Sequence, residues 1–216
     1  MGVTCESCTN VGVVGFFDRN RKELESRGIA ADRLPPGQYF TERFPVLHAG
    51  SVPIYKDLGS WNLRIFGEVD QEVTLSFDDL LALPQTTLLT DIHCVTKWSK
   101  FDTTWTGVAF SEIEKLVAPR ASATHVMCHA EFGFTANLPL VDVRSEPALL
   151  AHSFDDKPLE PDHGYPLRFL FPRLYFWKSA KWLRGLEFLD SDRPGFWERN
   201  GYHMYGDPWK EQRYWE

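Results

Sequence analysis

Apolar positions recur with two different periods along the middle of the chain. Leu63, Ile65 and then Val69 alternate with polar residues as a half-buried strand does, ending near Asp70. Val73 to Leu75 is a second, short strand. Ser76-Phe77-Asp78-Asp79 then has the form of a capping box, an N-cap serine with an acid three residues on, and opens a helix that stops before Pro84. Thr86 to Ile92 reads as a strand leading into Cys94. Ser111-Glu112-Ile113-Glu114 opens a second capped helix, ended by Pro119. Thr124 to Cys128 and Phe132 to Leu138 form a strand pair; Leu167 to Phe171 and Lys181 to Leu189 are further strands. Strands and short helices mix without regular strand–helix–strand alternation, which predicts an α+β fold with mixed sheets.

The flanks differ. Residues 1–43 are polar and turn-rich, with Pro35-Pro36-Gly37 as punctuation and only Lys22 to Arg27 weakly helical; they read as an arm. Residues 44–190 form a single domain, and 191–216 an aromatic tail packed on it.

Composition narrows the picture. The 216 residues carry 23 basic and 30 acidic side chains, a net charge of −7, which argues against a nucleic-acid binder. No run of 18 apolar residues predicts a membrane span. The stretch MGVTCESCTNVGVVGFF lacks a basic region before a long apolar run, so a cytoplasmic location is expected. The 8 Trp, 7 Tyr and 16 Phe are an unusual aromatic load. The four cysteines, Cys5, Cys8, Cys94 and Cys128, do not form a disulfide framework, and Cys5-x-x-Cys8 lacks the second pair that a zinc site needs.

Three segments could carry chemistry. Cys94 follows an apolar strand, where it is a buried small hydrophobe, a nucleophile awaiting a base, or a thiolate ligand to a soft or high-valent metal. Arg168 stands between Leu167 and Phe169 on a nearly continuous apolar strand, which demands an anion or an acidic partner. Lys178 and Lys181, three apart around Ser179-Ala180, offer two ammoniums and backbone N–H groups to a phosphate. No P-loop, G-x-G-x-x-G, H-E-x-x-H or G-x-S-x-G sequence occurs.

Together these segments resemble the molybdopterin-binding domain of the sulfite oxidase family, from about Phe44 to Leu189. "CVTKWS" falls where that family places its cysteine ligand to molybdenum; "HGYPLR" and "FWKSAKWL" are similar to its G-x-P-L-R strand and its K-S-x-K-W-L turn. "TERFPVLHAGSVP" and "GDPWKE" most resemble short, single-domain bacterial members.

The resemblance implies molybdenum-molybdopterin as cofactor, with Cys94 on the metal. Arg168, Lys178, Ser179, Ala180, Lys181 and His163 would hold the pterin and its phosphate. Val46, Leu47 and His48 would line it from the arm, and His129 would stand beside it. The family's sulfite oxidases follow the cysteine with an Asn-Arg-Arg run. Here Val95, Thr96, Lys97, Trp98 and Ser99 follow. That substitution turns the reading from sulfite toward S-oxides, with Lys97 and Trp98, and Tyr202 or His203 from the tail, at the mouth.

The expected activity is oxygen-atom transfer to or from a small oxyanion or S-oxide. The expected partner is a separate electron-transfer protein, because no haem domain or dimerisation domain is evident; a monomer follows. Two rivals make other predictions: a pterin- or phospholigand-binding protein without turnover, and a Cys94-based hydrolase.

Overall fold

The computed structural model describes Lys22 and residues 24–215. Two sheets carry the fold. The first is built on the long strand β5 (Trp98–Ala109), flanked by β1 (Tyr39–Phe40), β4 (Gln85–His93) and β8 (Leu149–Phe154). Beyond β8 lie β9 (Lys157–Pro158) and β10 (Arg168–Leu170). The second runs in the order β3 (Val73–Ser76), β2 (Asn62–Gly67), β11 (Leu183–Leu189), β6 (His125–Ala130), β7 (Thr135–Pro139). Pairing is mostly antiparallel, but β11 runs parallel to β2 and β1 parallel to β5. These are the mixed sheets expected of an α+β chain.

Short helices fill the connections: α1 (Phe77–Ala82), α2 (Phe110–Val117), α3 (Leu140–Ser145) and α4 (Phe196–Arg199). The capping box at α1 is complete. Ser76 Oγ accepts from the Asp79 amide at 3.1 Å, and Asp79 Oδ2 accepts from the Ser76 amide at 2.9 Å. Helix α2 starts earlier than its sequence signal. Its N-cap is Ala109, without a side-chain cap, because Phe110 is buried and its amide bonds to the Ala148 carbonyl. Phe132 is not in a strand; it turns the β6–β7 hairpin in the left-handed region, at φ 58°.

Sequence pattern alone gives neither β5 nor β8. In β5 the sheet-facing side includes Thr103 and Gly107 as well as Phe101 and Trp105, so the apolar alternation is broken. Thr103 tolerates burial because its Oγ1 donates to the Thr90 carbonyl at 2.6 Å and accepts from Trp105 Nε1 at 2.8 Å. Gly107 has no room for a Cβ, which would run into the Leu150 carbonyl of β8.

The main core packs Leu63, Ile65, Val126, Phe169, Leu186 and Phe188 with the inner face of α2. A second cluster, around Ile92, Trp98, Trp105, Leu170 and Tyr175, sits where β4, β5 and β10 meet. Residues 39–40 of the arm add an edge strand beside Trp98 and Ser99, and the tail closes on itself through a Tyr202–Tyr214 bridge.

Candidate active site

The turn after β4 delivers Cys94. It is closed by Cys94 N–H to the Trp98 carbonyl (2.9 Å) and Lys97 N–H to the Cys94 carbonyl (3.0 Å), with Lys97 at φ 76°. Both flanks of the chain grip it. Gln38 Nε2 donates to the Cys94 carbonyl at 2.9 Å, and Arg213 Nη1 to the Val95 carbonyl at 2.7 Å. Cys94 is 7% exposed, and its Sγ accepts from Thr96 Oγ1 at 3.2 Å. Burial pushes its thiol above the ordinary value, and the Thr96 hydrogen bond opposes that only in part. A cation bound to the sulfur would reverse the balance and hold the thiolate.

Opposite stands Arg168 at the start of β10. The preceding turn, through Gly164 and a cis Tyr165–Pro166 bond, brings the chain against it. Gly164 lies at φ 115°, and a Cβ there would press on Arg168 Cβ at 3.1 Å and Lys181 Cβ at 3.3 Å, so only glycine fits. Arg168 is 1% exposed. Nη1 donates to the His163 carbonyl at 2.9 Å and Nη2 to the Ser179 carbonyl at 2.8 Å, while Nε has no partner. The guanidinium lies 4.2 Å from the Phe176 ring centre and pairs with no carboxylate among the described residues. Burial pulls it down to about 9, so it remains charged at neutral pH.

The chain between the turn at Phe176–Lys178 and β11 runs beside it, tied by Phe169 N–H to the Ala180 carbonyl (2.8 Å). Lys181 Nζ donates to the carbonyls of Leu47 and Asp162, each at 2.8 Å. Burial, reinforced by Arg168, lowers Lys181 to about 7. His163 stacks on Phe44 at 3.8 Å, and burial with the two cations lowers it to about 4.

One cavity of about 280 Å³ joins these groups. Of the residues expected at the site, Cys94, Trp98, Leu47, His48, His163, Arg168, Ser179, Ala180 and Lys181 line it. Five expected residues do not. Lys178 is turned into the core, with Nζ on Asn137 Oδ1 (2.8 Å), the Met204 carbonyl (2.6 Å) and the Glu198 carboxylate (2.6 Å). It satisfies its charge there and cannot serve a phosphate. His129 sits on the second sheet and pairs with Glu187 at 2.8 Å. Val46 is solvent-exposed, and Lys97 follows the turn out to solvent. His203 is engaged by the amides of Tyr205 and Gly206, away from the lining. Cys5 and Cys8 lie outside the described residues.

Tyr202, expected at the mouth, also lines it, as do Trp177 and Trp182 of the "FWKSAKWL" turn; Phe44, Thr96, Phe134 and Trp197 join them without a local sequence signal. All but Thr96 are aromatic, and Trp197 and Tyr202 reach the cavity because the tail folds back.

Among the described residues neither Arg168 nor Lys181 has a carboxylate partner, and a buried charge without one favours an anion in the cavity. At the same cavity one soft sulfur is presented. Among the described residues no three His, Cys, Asp or Glu side chains gather as a metal cage, so a metal at Cys94 takes its other donors from elsewhere. An anionic cofactor carrying both a phosphate and its own sulfur donors fits this set.

The profile of the oxidoreductase molybdopterin binding domain matches residues 49–197. The chain belongs to that family. It is 50% identical to the oxidoreductase YuiH of Bacillus subtilis (strain 168), over 92% of this chain and 98% of that one. It is 27% identical to the protein-methionine-sulfoxide reductase catalytic subunit MsrP of Campylobacter jejuni, over 68% of this chain but 55% of that one. The crystal structure of the sulfane dehydrogenase SoxCD from Paracoccus pantotrophus superposes with a TM-score of 0.60 at 20% identity, covering 68% of this chain and 42% of that one. The fold is therefore the sulfite-oxidase-type molybdopterin fold. The protein is a molybdopterin-dependent oxidoreductase, and molybdenum-molybdopterin is its cofactor.

Proposed function

We propose that the protein moves an oxygen atom to or from a small oxyanion or S-oxide at a molybdenum centre held by Cys94, and exchanges electrons with a separate redox protein. The observation that carries this reading is the buried Arg168 guanidinium, without a carboxylate, in the same cavity as the Cys94 thiol. When bound, the cofactor supplies the two-electron redox chemistry and the oxygen-accepting metal.

The protein's own residues do the rest. Arg168 and Lys181 neutralise the phosphate end, and Ser179 and Ala180 give it a close-fitting backbone. His163, neutral at pH 7 and stacked on Phe44, lends a ring nitrogen to the pterin. Leu47 and His48 cover it from the arm. Cys94 would give its sulfur to the metal, and Trp98, Trp177, Trp197 and Tyr202 line the cavity with it. That wall carries no cation, which favours an S-oxide over an inorganic anion. MsrP, whose name gives methionine sulfoxide as substrate, lends this preference the same direction.

The test is metal and pterin analysis of protein made in molybdate-replete cells, followed by a screen for Mo reduction by sulfite and Mo reoxidation by S- and N-oxides. Wild-type protein should hold both groups and show a Mo(V) resonance on partial reduction. Cys94→Ser protein should keep pterin and lose turnover. If Cys94→Ser held molybdenum as tightly and turned over as fast, the role of Cys94 would be wrong. Pterin without reducible molybdenum in the wild type would favour the binding protein without turnover.

A further inference from the structure

A buried polar knot on α4 ties the tail to the cavity wall. Glu198, on α4, is 2% exposed. Its Oε1 accepts from Trp177 Nε1 at 2.8 Å and pairs with Lys178 Nζ at 2.6 Å. Lys178 also has Asn137 and the Met204 carbonyl, so its ammonium has other acceptors. A buried ion pair is a poor source of stability, and apolar residues of similar volume often do as well. What Glu198 adds is an acceptor for an indole that lines the cavity.

That indole is held on other sides too. A Cβ on Gly206 would lie 2.7 Å from its ring, and Tyr202 meets it edge-on at 5.1 Å. Tyr202 in turn stacks on Trp197 at 4.7 Å, one residue before Glu198. All three rings line the cavity that holds Cys94.

We propose that Glu198 is a positioning residue: it sets the Trp177 indole, and through it Tyr202 and Trp197, as the wall of the substrate mouth beside Cys94. This rests on the reading that substrate meets the cofactor on that side. The hydrogen bond to the indole matters, and the charge does not.

Two double variants of the holoenzyme separate the parts. Lys178→Met/Glu198→Gln removes the ion pair and keeps an acceptor; Lys178→Met/Glu198→Leu removes both. The first should keep the wild-type KM. The second should raise KM about tenfold with kcat changed less than about twofold, the signature of lost binding rather than lost chemistry. In 15N-tryptophan-labelled protein the Trp177 indole N–H resonance, assigned by its loss in Trp177→Phe, should move only in the second. Trp177→Phe, which keeps a ring and lacks the donor, should show the same KM rise and stands in if a double variant does not fold. A wild-type KM in Lys178→Met/Glu198→Leu or in Trp177→Phe, or an unmoved indole resonance, overturns the proposal. Wild-type protein without molybdenum or turnover overturns instead the functional reading beneath it, and the indole resonance still reports on Glu198.

Discussion

Arg168 donates from Nη2 to the carbonyl oxygen of Ser179 at 2.8 Å, and Ser179 Oγ accepts from the Phe171 amide at 2.9 Å. The two residues thus lace β10 to the chain that enters β11, and the lacing leaves a cation in the cavity wall. The guanidinium satisfies two neutral carbonyls, but no carboxylate among the described residues satisfies it.

Arg168→Met should therefore separate stability from cofactor binding. Two carbonyls lose a donor, a cost of about 1–3 kcal/mol each at most, while an uncompensated buried charge disappears. The Tm of the cofactor-free protein should shift by only a few degrees, and retained pterin should fall at least about tenfold, a loss of ~1.4 kcal/mol or more. Arg168→Lys keeps the charge but not the planar fork and should fall between. Pterin fluorescence after denaturation, set beside the cofactor-free Tm, measures both. Full pterin in Arg168→Met would rule out Arg168 as an anchor.

Arg213 tests the grip on the cysteine turn. Its guanidinium bonds the Val95 carbonyl, lies 4.9 Å from the Tyr175 ring centre and is 8% exposed. It does not line the cavity. Arg213→Gln should loosen the turn that carries Cys94 and leave the phosphate end alone. The expected result is normal pterin with molybdenum occupancy reduced by about half or more, since a ligand misplaced by ~1 Å binds poorly. Equal loss of pterin and metal would show instead that the tail supports the whole cavity.

How much of this was legible depends on where each residue finds its partner. The Ser76–Asp79 capping box is local, three residues apart, and sequence shows it outright. Leu63 and Ile65 alternate cleanly because both sit at 0% exposure on β2. Arg168 stands out because a cation amid apolar residues is costly without an anion, whereas Cys94 reads equally well as a buried small hydrophobe and stands out through the resemblance of "CVTKWS". Lys178 misleads for the opposite reason. Its spacing from Lys181 suggests a pair of phosphate ligands, but its partner Glu198 is in the tail, and no local pattern announces it. The same holds for Thr103, whose burial rests on Thr90 and Trp105.

Gly107 probes the strand that sequence pattern misses. It stands where β5 shifts register against β8, between Thr106 and Gly107. A methyl group there would strike the Leu150 carbonyl and the Ala151 backbone, which cannot swing aside as a flexible side chain does. Gly107→Ala should destabilise by about 1–3 kcal/mol, in the range of overpacked cores. Chemical denaturation of the cofactor-free protein would measure it. A change under ~0.5 kcal/mol would mean that β8 can yield.

Lys181 makes the site's pH dependence predictable. In the unfolded chain its ammonium titrates near 10.5; in the folded, cofactor-free protein burial and Arg168 lower it to about 7. Between those values the unfolded chain binds the extra proton and the native state does not, so stability rises with pH across that window and flattens below about 7. His163, lowered to about 4, adds a similar rise between pH 4 and the ordinary histidine range near 6.5. Bound phosphate reverses the preference at Lys181, because the anion favours the ammonium. Pterin affinity should therefore weaken as pH climbs above 7 while the cofactor-free protein grows more stable. Urea unfolding from pH 7 to 9 and pterin retention over the same range should slope in opposite directions, and Lys181→Met should weaken both slopes, Arg168 and the buried Lys178 supplying what remains of the first. If the slopes ran in parallel, or were unchanged in Lys181→Met, the ammonium would not be the group that links cofactor to fold.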